Sequence, residues 1–269
     1  NFINGSVLNK NLVNTLVKNS DIVIHATAYA DVGACVRNYD VDFENNVVGT
    51  FNVLDAAKKQ EIEKIIFVSS ASVYGSGSSK IFRENQALAP ISTYGASKLW
   101  GETETKLFYS LYNVPTVSLR YFSVYGSPQT PKEGSHSWCV AIFAMLAKKN
   151  KPITINGKGD QIRDFVHVSD IAEATILASE KESAIGHTIN IGTGKPTTIN
   201  DIAKNIFNYF DKVPILYKPL PSGDPMGGYA DITLMKKLLN WEPETSLDEG
   251  IKEYCHWLEN HQHLIPTWL

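Results

Sequence analysis

The sequence has little arginine, little cysteine and no long apolar run. Among its 269 residues only Arg37, Arg83, Arg120 and Arg163 are arginine, and the formal net charge at pH 7 is −3. No cluster of basic residues occurs, so we expect no nucleic-acid partner. No apolar stretch reaches ~18 residues, so we expect no membrane-spanning helix and no membrane partner.

The three cysteines, Cys35, Cys139 and Cys255, lie far apart in the sequence. An odd and scattered set provides neither a disulfide framework nor the spacing of zinc ligands. We therefore expect free thiols, no bound metal and a cytoplasmic location.

Short runs rich in β-branched residues alternate with stretches of helical periodicity. Three runs, at 22–26, 64–69 and 116–121, predict strands, and the stretches 42–60 and 93–112 between them predict helices. This alternation indicates βαβ units and a parallel sheet that is covered on both faces. Further along we predict a helix at 138–149, a strand at 187–191, and helices at 199–209 and 247–260.

A serine, a tyrosine and a lysine stand where such a sheet would place a ligand, beyond the carboxyl end of a strand. Ser70 follows the predicted strand at 64–69, and Tyr94 and Lys98 lie in the first turns of the next predicted helix. A spacing of four places Tyr94 and Lys98 on one helix face. The spacing alone does not distinguish a catalytic pair from an incidental pair at a solvated helix start.

A lysine near a tyrosine has a chemical consequence. An ammonium ~6 Å from a phenol, at an effective dielectric of about 20, favours the phenolate by ~2.8 kcal/mol, or about two pKa units. We therefore expect the pKa of Tyr94 to be lowered by Lys98. Such a tyrosine can take the proton of a hydroxyl whose carbon loses hydride, while Ser70 hydrogen-bonds the same oxygen.

The three residues resemble the Ser-Tyr-Lys triad of the short-chain dehydrogenase/reductase superfamily. Further motifs resemble its extended branch, the nucleotide-sugar epimerases and dehydratases, in the order of that branch. These motifs are His25–Ala28, Asn46–Thr50, Arg120–Gly126, Gly157–Val168, Asn190–Gly194, Gly223–Asp224 and Tyr229–Asp231.

The resemblance implies an α/β fold, a Rossmann-type doubly wound parallel sheet with a smaller C-terminal substrate lobe. Residues 1–125 would form the NAD-binding domain, with strands returning near 153–192, and residues 126–269 mainly the substrate-binding lobe. The implied activity is epimerisation at C4 of a nucleotide-diphosphate sugar, a UDP-sugar by preference, through a 4-keto intermediate with bound NAD. A homodimer is also implied.

The resemblance assigns roles to particular residues. The catalytic residues would be Ser70, Tyr94 and Lys98. The cofactor would contact Ala26, Ala28, Asn46, Tyr94, Lys98 and Tyr121. The substrate would contact Ser70, Ser72, Ser123, Arg163 and Asp224, with the Arg163 guanidinium on the diphosphate.

The sequence departs from the family pattern in several places. The family's N-terminal Gly-x-x-Gly-x-x-Gly turn, which would hold the NAD pyrophosphate, is not in it. Because residues 2–7 resemble the third strand of the fold, we expect roughly 50 preceding residues to be missing from the sequence. Ser123 replaces the usual asparagine near the diphosphate, and Pro221 replaces a common arginine. Gly228 replaces a bulky tyrosine, which suggests room for a 2-acetamido sugar.

Two further departures and the missing segment leave alternatives open. Ala71 and Ser72 stand where related dehydratases have the Asp-Glu pair that eliminates water, which disfavours a dehydratase. A decarboxylase or a reductase acting on a related nucleotide sugar remains an alternative. A non-catalytic relative that has lost NAD binding is the other.

Overall fold

A computed structural model describes residues 1–76, 79–133, 138–219 and 227–269. Its α-helices are α1 (Lys10–Lys18), α2 (Val32–Arg37), α3 (Tyr39–Asp42), α4 (Gly49–Gln60), α5 (Thr93–Tyr112), α6 (Cys139–Lys148), α7 (Val168–Glu180), α8 (Ile199–Ile206), α9 (Thr233–Leu239) and α10 (Leu247–Asn260). A π-helix, Phe43–Val48, joins α3 to α4, and 3-10 turns lie at Ala71–Tyr74, Glu182–Ala184 and Gln262–Leu264.

The strands include a central parallel sheet. They are β1 (Ile22–His25), β2 (Lys64–Ser70), β3 (Ile81–Phe82), β4 (Thr116–Tyr121), β5 (Ser123–Tyr125), β6 (Ile153–Asn156), β7 (Ile162–Arg163), β8 (Phe165–His167), β9 (Thr188–Ile191), β10 (Thr197–Thr198), β11 (Ile215–Lys218) and β12 (Tyr229–Ala230). Four of them form the sheet in the order β1-β2-β4-β9, and every pair is parallel. The predicted fold class, a Rossmann-type parallel α/β sheet, is confirmed.

Helices cover both faces of this sheet. Helix α5 packs on β2 and β4 from one side, and α7 packs on the same two strands from the other. Strand β2 is therefore apolar without alternation, with Ile65, Ile66 and Phe67 all buried. The approach of α5 is close, because a Cβ added at Gly101 would collide with the Phe67 ring. A glycine at 101 thus allows α5 to pack directly on the sheet.

A second apolar core lies away from the sheet. It gathers buried side chains from α6, α8 and α10 and from β6, together with Phe165 and Tyr125. The parallel pair β6 and β11 and the pair β5 and β8 lie outside the central sheet. Of the strands expected to return near 153–192, β9 joins the central sheet and β6 does not. The domain division at residue 125 stays a prediction.

Several predicted elements match the structure closely, and others do not. The helices at 93–112 and 247–260 have the predicted bounds, and the strand at 116–121 does too. The single helix predicted at 42–60 is divided by the π-helix. Residues 1–6 form no hydrogen-bonded strand and residues 7–8 form a turn, so of the third strand and following turn expected in residues 2–7 only the turn is observed; in the order 3-2-1-4 such a strand would not pair with β1. In the described ranges no helix has the length and apolarity needed to cross a membrane.

Candidate active site

The carboxyl ends of the central strands meet at one edge of the sheet, and the sequence-predicted residues lie along it. Ser70 is the last residue of β2 and Tyr121 is the last residue of β4. Ala26 and Ala28 follow β1 directly, and Ser123 opens β5 two residues after β4. The sheet therefore places the cofactor and catalytic candidates on one rim.

The start of α5 brings Tyr94 to Ser70. Ser92 caps the helix, because its side-chain oxygen accepts a hydrogen bond from the Gly95 N–H at 3.1 Å. This cap fixes the first turn, which carries Tyr94. The Ser70 side chain faces the Tyr94 hydroxyl closely enough to lower the pKa of that phenol. Ser70 Oγ accepts from the Ser72 N–H at 3.1 Å, which holds the serine at the end of β2.

Lys98 lies one turn further along the same helix face and is 3% exposed. Its Nζ donates to the Val68 carbonyl at 2.7 Å and lies 5.8 Å from the centre of the Tyr94 ring. Burial lowers the pKa of Lys98 to about 8, against the opposing attraction of Asp42. Lys98 is therefore still mostly protonated at pH 7. The structure brings Ser70, Tyr94 and Lys98 together as the sequence indicated.

The expected tuning of Tyr94 is wrong for this structure. Burial raises its pKa to about 12, although the Ser70 hydrogen bond opposes the shift. The cost of taking a phenolate out of water outweighs the attraction of Lys98. Asp42 adds negative potential that also disfavours the phenolate. Tyr94 is thus a neutral phenol at pH 7 in this structure.

Asn46 acts on the loop that follows β1. The side chain is 2% exposed, its Oδ1 accepts from the Tyr29 N–H at 2.8 Å, and its Nδ2 donates to the Tyr29 carbonyl at 3.0 Å. This pair of bonds fixes the loop that carries Ala26 and Ala28, of which Ala26 is exposed. Small side chains there leave the backbone open to a ligand. A direct contact of Asn46 with the cofactor stays a prediction.

Tyr121 directs its hydroxyl away from Tyr94. Tyr121 Oη shares a hydrogen bond of 2.5 Å with Thr175 Oγ1, which lies on α7. Its strand neighbour Leu119 belongs to the core beneath α7, whereas Arg120 points to α5. A contact between the Tyr121 hydroxyl and the cofactor is therefore not supported, and its ring and backbone remain the predicted contact.

The predicted substrate residues are spread over two regions. Ser123 lies at the sheet rim, where its N–H donates to the Asp164 carbonyl at 2.9 Å. Arg163 lies in β7, paired with β10, and its Nη1 donates to the Ile162 carbonyl at 2.8 Å. Asp224 and Pro221 lie outside the described residues. The roles of these residues stay predictions.

Two hydroxyls beside the Ser70–Tyr94 pair are buried without a hydrogen-bond partner in the described part of the chain. They are Ser72 Oγ and Thr93 Oγ1. Buried hydroxyls are nearly always paired, because an unpaired one costs ~1–3 kcal/mol. A polar ligand bound beside Ser70 and Tyr94 would supply the hydrogen bonds that these two hydroxyls lack.

Gly228 does not open a space for the sugar. A Cβ at this position would lie 2.5 Å from the Lys80 carbonyl oxygen and 2.9 Å from Phe82 Cζ. Glycine is needed there because β12 approaches β3 closely, with the Tyr229 N–H donating to Lys80 at 2.9 Å. The suggestion that Gly228 makes room for a 2-acetamido group is therefore wrong for this structure.

A buried ion pair lies one turn beyond Lys98, and sequence reasoning missed it. Glu102 accepts two hydrogen bonds from Arg120, from Nε at 2.9 Å and from Nη2 at 2.7 Å. Arg120 Nη1 also donates to the Tyr74 hydroxyl at 2.8 Å, and Tyr74 donates to Asn190 Oδ1 at 2.6 Å. Two features of the sequence could have indicated this pair. Glu102 follows Lys98 by four residues on one helix face, and Arg120 is a charged residue inside a predicted strand.

Comparisons with known proteins agree with this geometry. A model of the NAD dependent epimerase/dehydratase family matches residues 1–192. A putative UDP-glucose 4-epimerase of Methanocaldococcus jannaschii is 37% identical over 265 residues, which are 97% of this chain and 84% of that protein.

Solved structures of similar proteins carry UDP-sugars and NAD. A UDP-glucose 4-epimerase of Thermotoga maritima with UDP-glucose has a TM-score of 0.91 and 31% identity, with 97% of this chain and 85% of that chain covered. A UDP-glucuronic acid 4-epimerase of Bacillus cereus with UDP-glucuronic acid and NAD has a TM-score of 0.89 and 29% identity, with coverage of 96% and 81%. With the rim geometry of Ser70, Tyr94 and Lys98, these likenesses place the chain in the NAD dependent epimerase/dehydratase family.

Proposed function

We propose that the protein inverts C4 of a UDP-sugar with NAD as a retained cofactor. The observation that carries the proposal is the group at the sheet rim: a tyrosine that faces Ser70, with the Lys98 ammonium 5.8 Å from the centre of its ring. Relatives that are named UDP-sugar 4-epimerases share the fold across nearly the whole chain. NAD, when bound, accepts the hydride from C4 and returns it, so it ends unchanged.

The residues at the rim fit such a cofactor. The loop that follows β1, here called the β1 loop, leaves its backbone open at Ala26 and Ala28, and Asn46 holds this loop in place. Lys98 supplies a buried positive charge with donors for hydroxyl groups. The unpaired hydroxyls of Ser72 and Thr93 supply further polar contacts. We assign the cofactor to this rim and the diphosphate to Arg163, with Ser123 and Asp224 beside it.

Each catalytic side chain has one task. Ser70 hydrogen-bonds the C4 oxygen and bridges it to Tyr94. Tyr94 in its phenolate form, the minor form at pH 7, takes the C4 hydroxyl proton as the ketone forms and returns it when the alcohol is restored. Because burial holds the pKa of Tyr94 near 12, the Lys98 ammonium is needed to favour that phenolate.

A product assay tests the proposal. Full-length protein with NAD should interconvert UDP-glucose and UDP-galactose, or UDP-glucuronate and its C4 epimer, as read by chromatography. The variant Glu104→Gln, a partly exposed change on the same helix, should leave the activity unchanged. No epimer from any of these UDP-sugars, with NAD bound, would contradict the proposal.

The assembly that we propose is a homodimer. The π-helix, α4 and α5 lie side by side and expose apolar side chains: Phe43 of the π-helix is 58% exposed and Leu111 of α5 is 64% exposed, with Phe51 of α4 and Leu107 of α5 also exposed. A second copy would cover this apolar face by a two-fold contact. Sedimentation of the variant Leu111→Glu should give a monomer where the parent protein gives a dimer.

We also propose a cytoplasmic location and the two-lobe division at residue 125. The three cysteines are free thiols, which a reducing compartment maintains. The separate cores of the sheet and of the α6–α8–α10 cluster support the division.

A further inference from the structure

A buried carboxylate behind the catalytic helix has no task in the mechanism above. Asp42 ends α3 and is 1% exposed. The π-helix begins at the next residue. π-Helices are rare in proteins, and those that occur are often found at functional sites. A buried charge at such a junction requires partners, so its contacts indicate what it does.

One oxygen of Asp42 joins two parts of the active site. Its Oδ1 accepts from Ser97 Oγ at 3.0 Å and from Asn46 Nδ2 at 2.5 Å. Ser97 directly precedes Lys98 on the catalytic helix. Asn46 holds the Tyr29 backbone in the loop that follows β1. The carboxylate therefore links the catalytic helix to the loop that we assign to the cofactor.

Asp42 also acts on the charge of Lys98. Among the charges that favour the Lys98 ammonium, Asp42 is stronger than Glu102, while Cys35, whose pKa burial raises to about 12, is a neutral thiol near pH 8. Burial opposes them all and is the larger effect. From β1, His25 faces Lys98 as a neutral ring, since burial and Lys98 lower its pKa to about 3. The titratable groups facing Lys98 are thus Asp42 from α3, Cys35 from α2, His25 from β1, and Tyr94 and Glu102 from α5 itself.

We infer that Asp42 is a positioning residue of the epimerase: it keeps Lys98 protonated and ties the Lys98 turn to the β1 loop. The catalytic role of Asp42 rests on the proposed function, whereas the hydrogen bonds of Asp42 are independent of it. Asp42 touches neither sugar nor cofactor in our assignment and acts through Lys98 and Asn46. An uncharged residue of the same shape at position 42 should preserve the fold and change the titration of Lys98.

Three variants separate charge from shape. Asp42→Asn keeps an oxygen that accepts from Ser97 and Asn46 but removes the charge. Ser97→Ala keeps the charge and removes one hydrogen bond. Asp40→Asn, on an exposed residue of the same helix, is the matched control.

The direct readout is the pKa of Lys98 by NMR of the 13Cε signal in full-length protein. Removing a nearby negative charge disfavours the ammonium, so Asp42→Asn should lower the Lys98 pKa by roughly one unit or more. The pH at which the rise of kcat/KM with pH levels off should move down by the same amount. Ser97→Ala and Asp40→Asn should leave both unchanged.

An unchanged Lys98 titration in Asp42→Asn would overturn the inference. If that variant does not fold, the unmodified protein still decides: the Asp42 13Cγ signal should shift as Lys98 titrates near pH 8, and the step should vanish in Lys98→Met. A flat Asp42 signal would overturn the inference equally. Both measurements need no turnover, so a protein that shows the coupling but makes no epimer would contradict the proposed function alone.

Discussion

Helix α5 carries two buried polar clusters, one turn apart, that differ in how fully their groups are paired. In the first, Arg120 and Glu102 share two hydrogen bonds, and Ser69 Oγ donates to the same carboxylate at 2.5 Å. In the second, burial raises the pKa of Tyr94 to about 12 and lowers the pKa of Lys98 to about 8. Ser72 beside them has no described partner for its hydroxyl.

The difference separates a structural cluster from a reactive one. A saturated network fixes its members and leaves nothing to bind a ligand. A cluster with displaced pKa values and unpaired hydroxyls is poised to accept partners from outside the protein. The comparison predicts that substitutions in the first cluster cost stability and that those in the second cost activity.

The largest effect is expected at Tyr94. Tyr94→Phe removes the proton acceptor, so kcat should fall by about 10²–10⁴-fold. Because the lost hydroxyl makes one neutral hydrogen bond, the free energy of unfolding should change by no more than ~1.5 kcal/mol. Steady-state kinetics and urea denaturation measure the two. A variant that keeps its rate would remove Tyr94 from the mechanism.

The next effect concerns Glu102. Glu102→Ala leaves the Arg120 guanidinium buried without its carboxylate, which should lower the free energy of unfolding by about 3–5 kcal/mol. Urea denaturation measures the loss, with Glu104→Gln as the control on the same helix. A loss below ~1 kcal/mol would show that the pair is not the stabilising element of α5.

A matched pair of serines gives a smaller effect. Ser69→Ala breaks a hydrogen bond to a charged group and should cost about 1.5–3 kcal/mol of stability. Ser72→Ala removes an unpaired hydroxyl and should change stability by less than ~0.5 kcal/mol, while the KM for the sugar rises. Equal stability losses in the two variants would contradict the distinction between a structural cluster and a reactive one.

The smallest effect is the pH dependence from Lys98. Its folded pKa is lowered to about 8, so the ammonium is present below that pH and is lost above it. Tyr94 acts as a phenolate with a pKa near 12 and Lys98 acts as an ammonium, so activity should rise about tenfold per pH unit up to pH ~8 and level off above it. Residual activity of Lys98→Arg, whose guanidinium stays charged, should continue to rise above pH ~8. A wild-type profile without a break near pH 8 would contradict the role of Lys98.

The sequence predicted the regular parts of the fold and missed those set by tertiary contacts. Helix α5 was predictable because Ser92 and Asn113 bound a long periodic stretch. The division of the 42–60 helix was not, because the π-helix follows from buried contacts of Asp42 and Asn46 that no local pattern reveals.

The site followed the same rule. Strand ends and the spacing of four placed Tyr94 and Lys98 on one helix face after Ser70, and the family resemblance was needed to identify the three residues as one site. The direction of the Tyr94 pKa shift was missed because burial depends on the packed structure. The Thr175 partner of Tyr121 was missed because α7 was not predicted as a helix.

The fate of the hydrogen at C4 tests the central claim most directly. A UDP-sugar that carries deuterium at C4 should be turned over in ordinary water by the full-length protein with NAD, and the epimer analysed by NMR. Because the hydride leaves C4 and returns to it within one site, the product should keep its deuterium at C4. Replacement of that deuterium by solvent hydrogen would show proton abstraction at carbon and contradict the account.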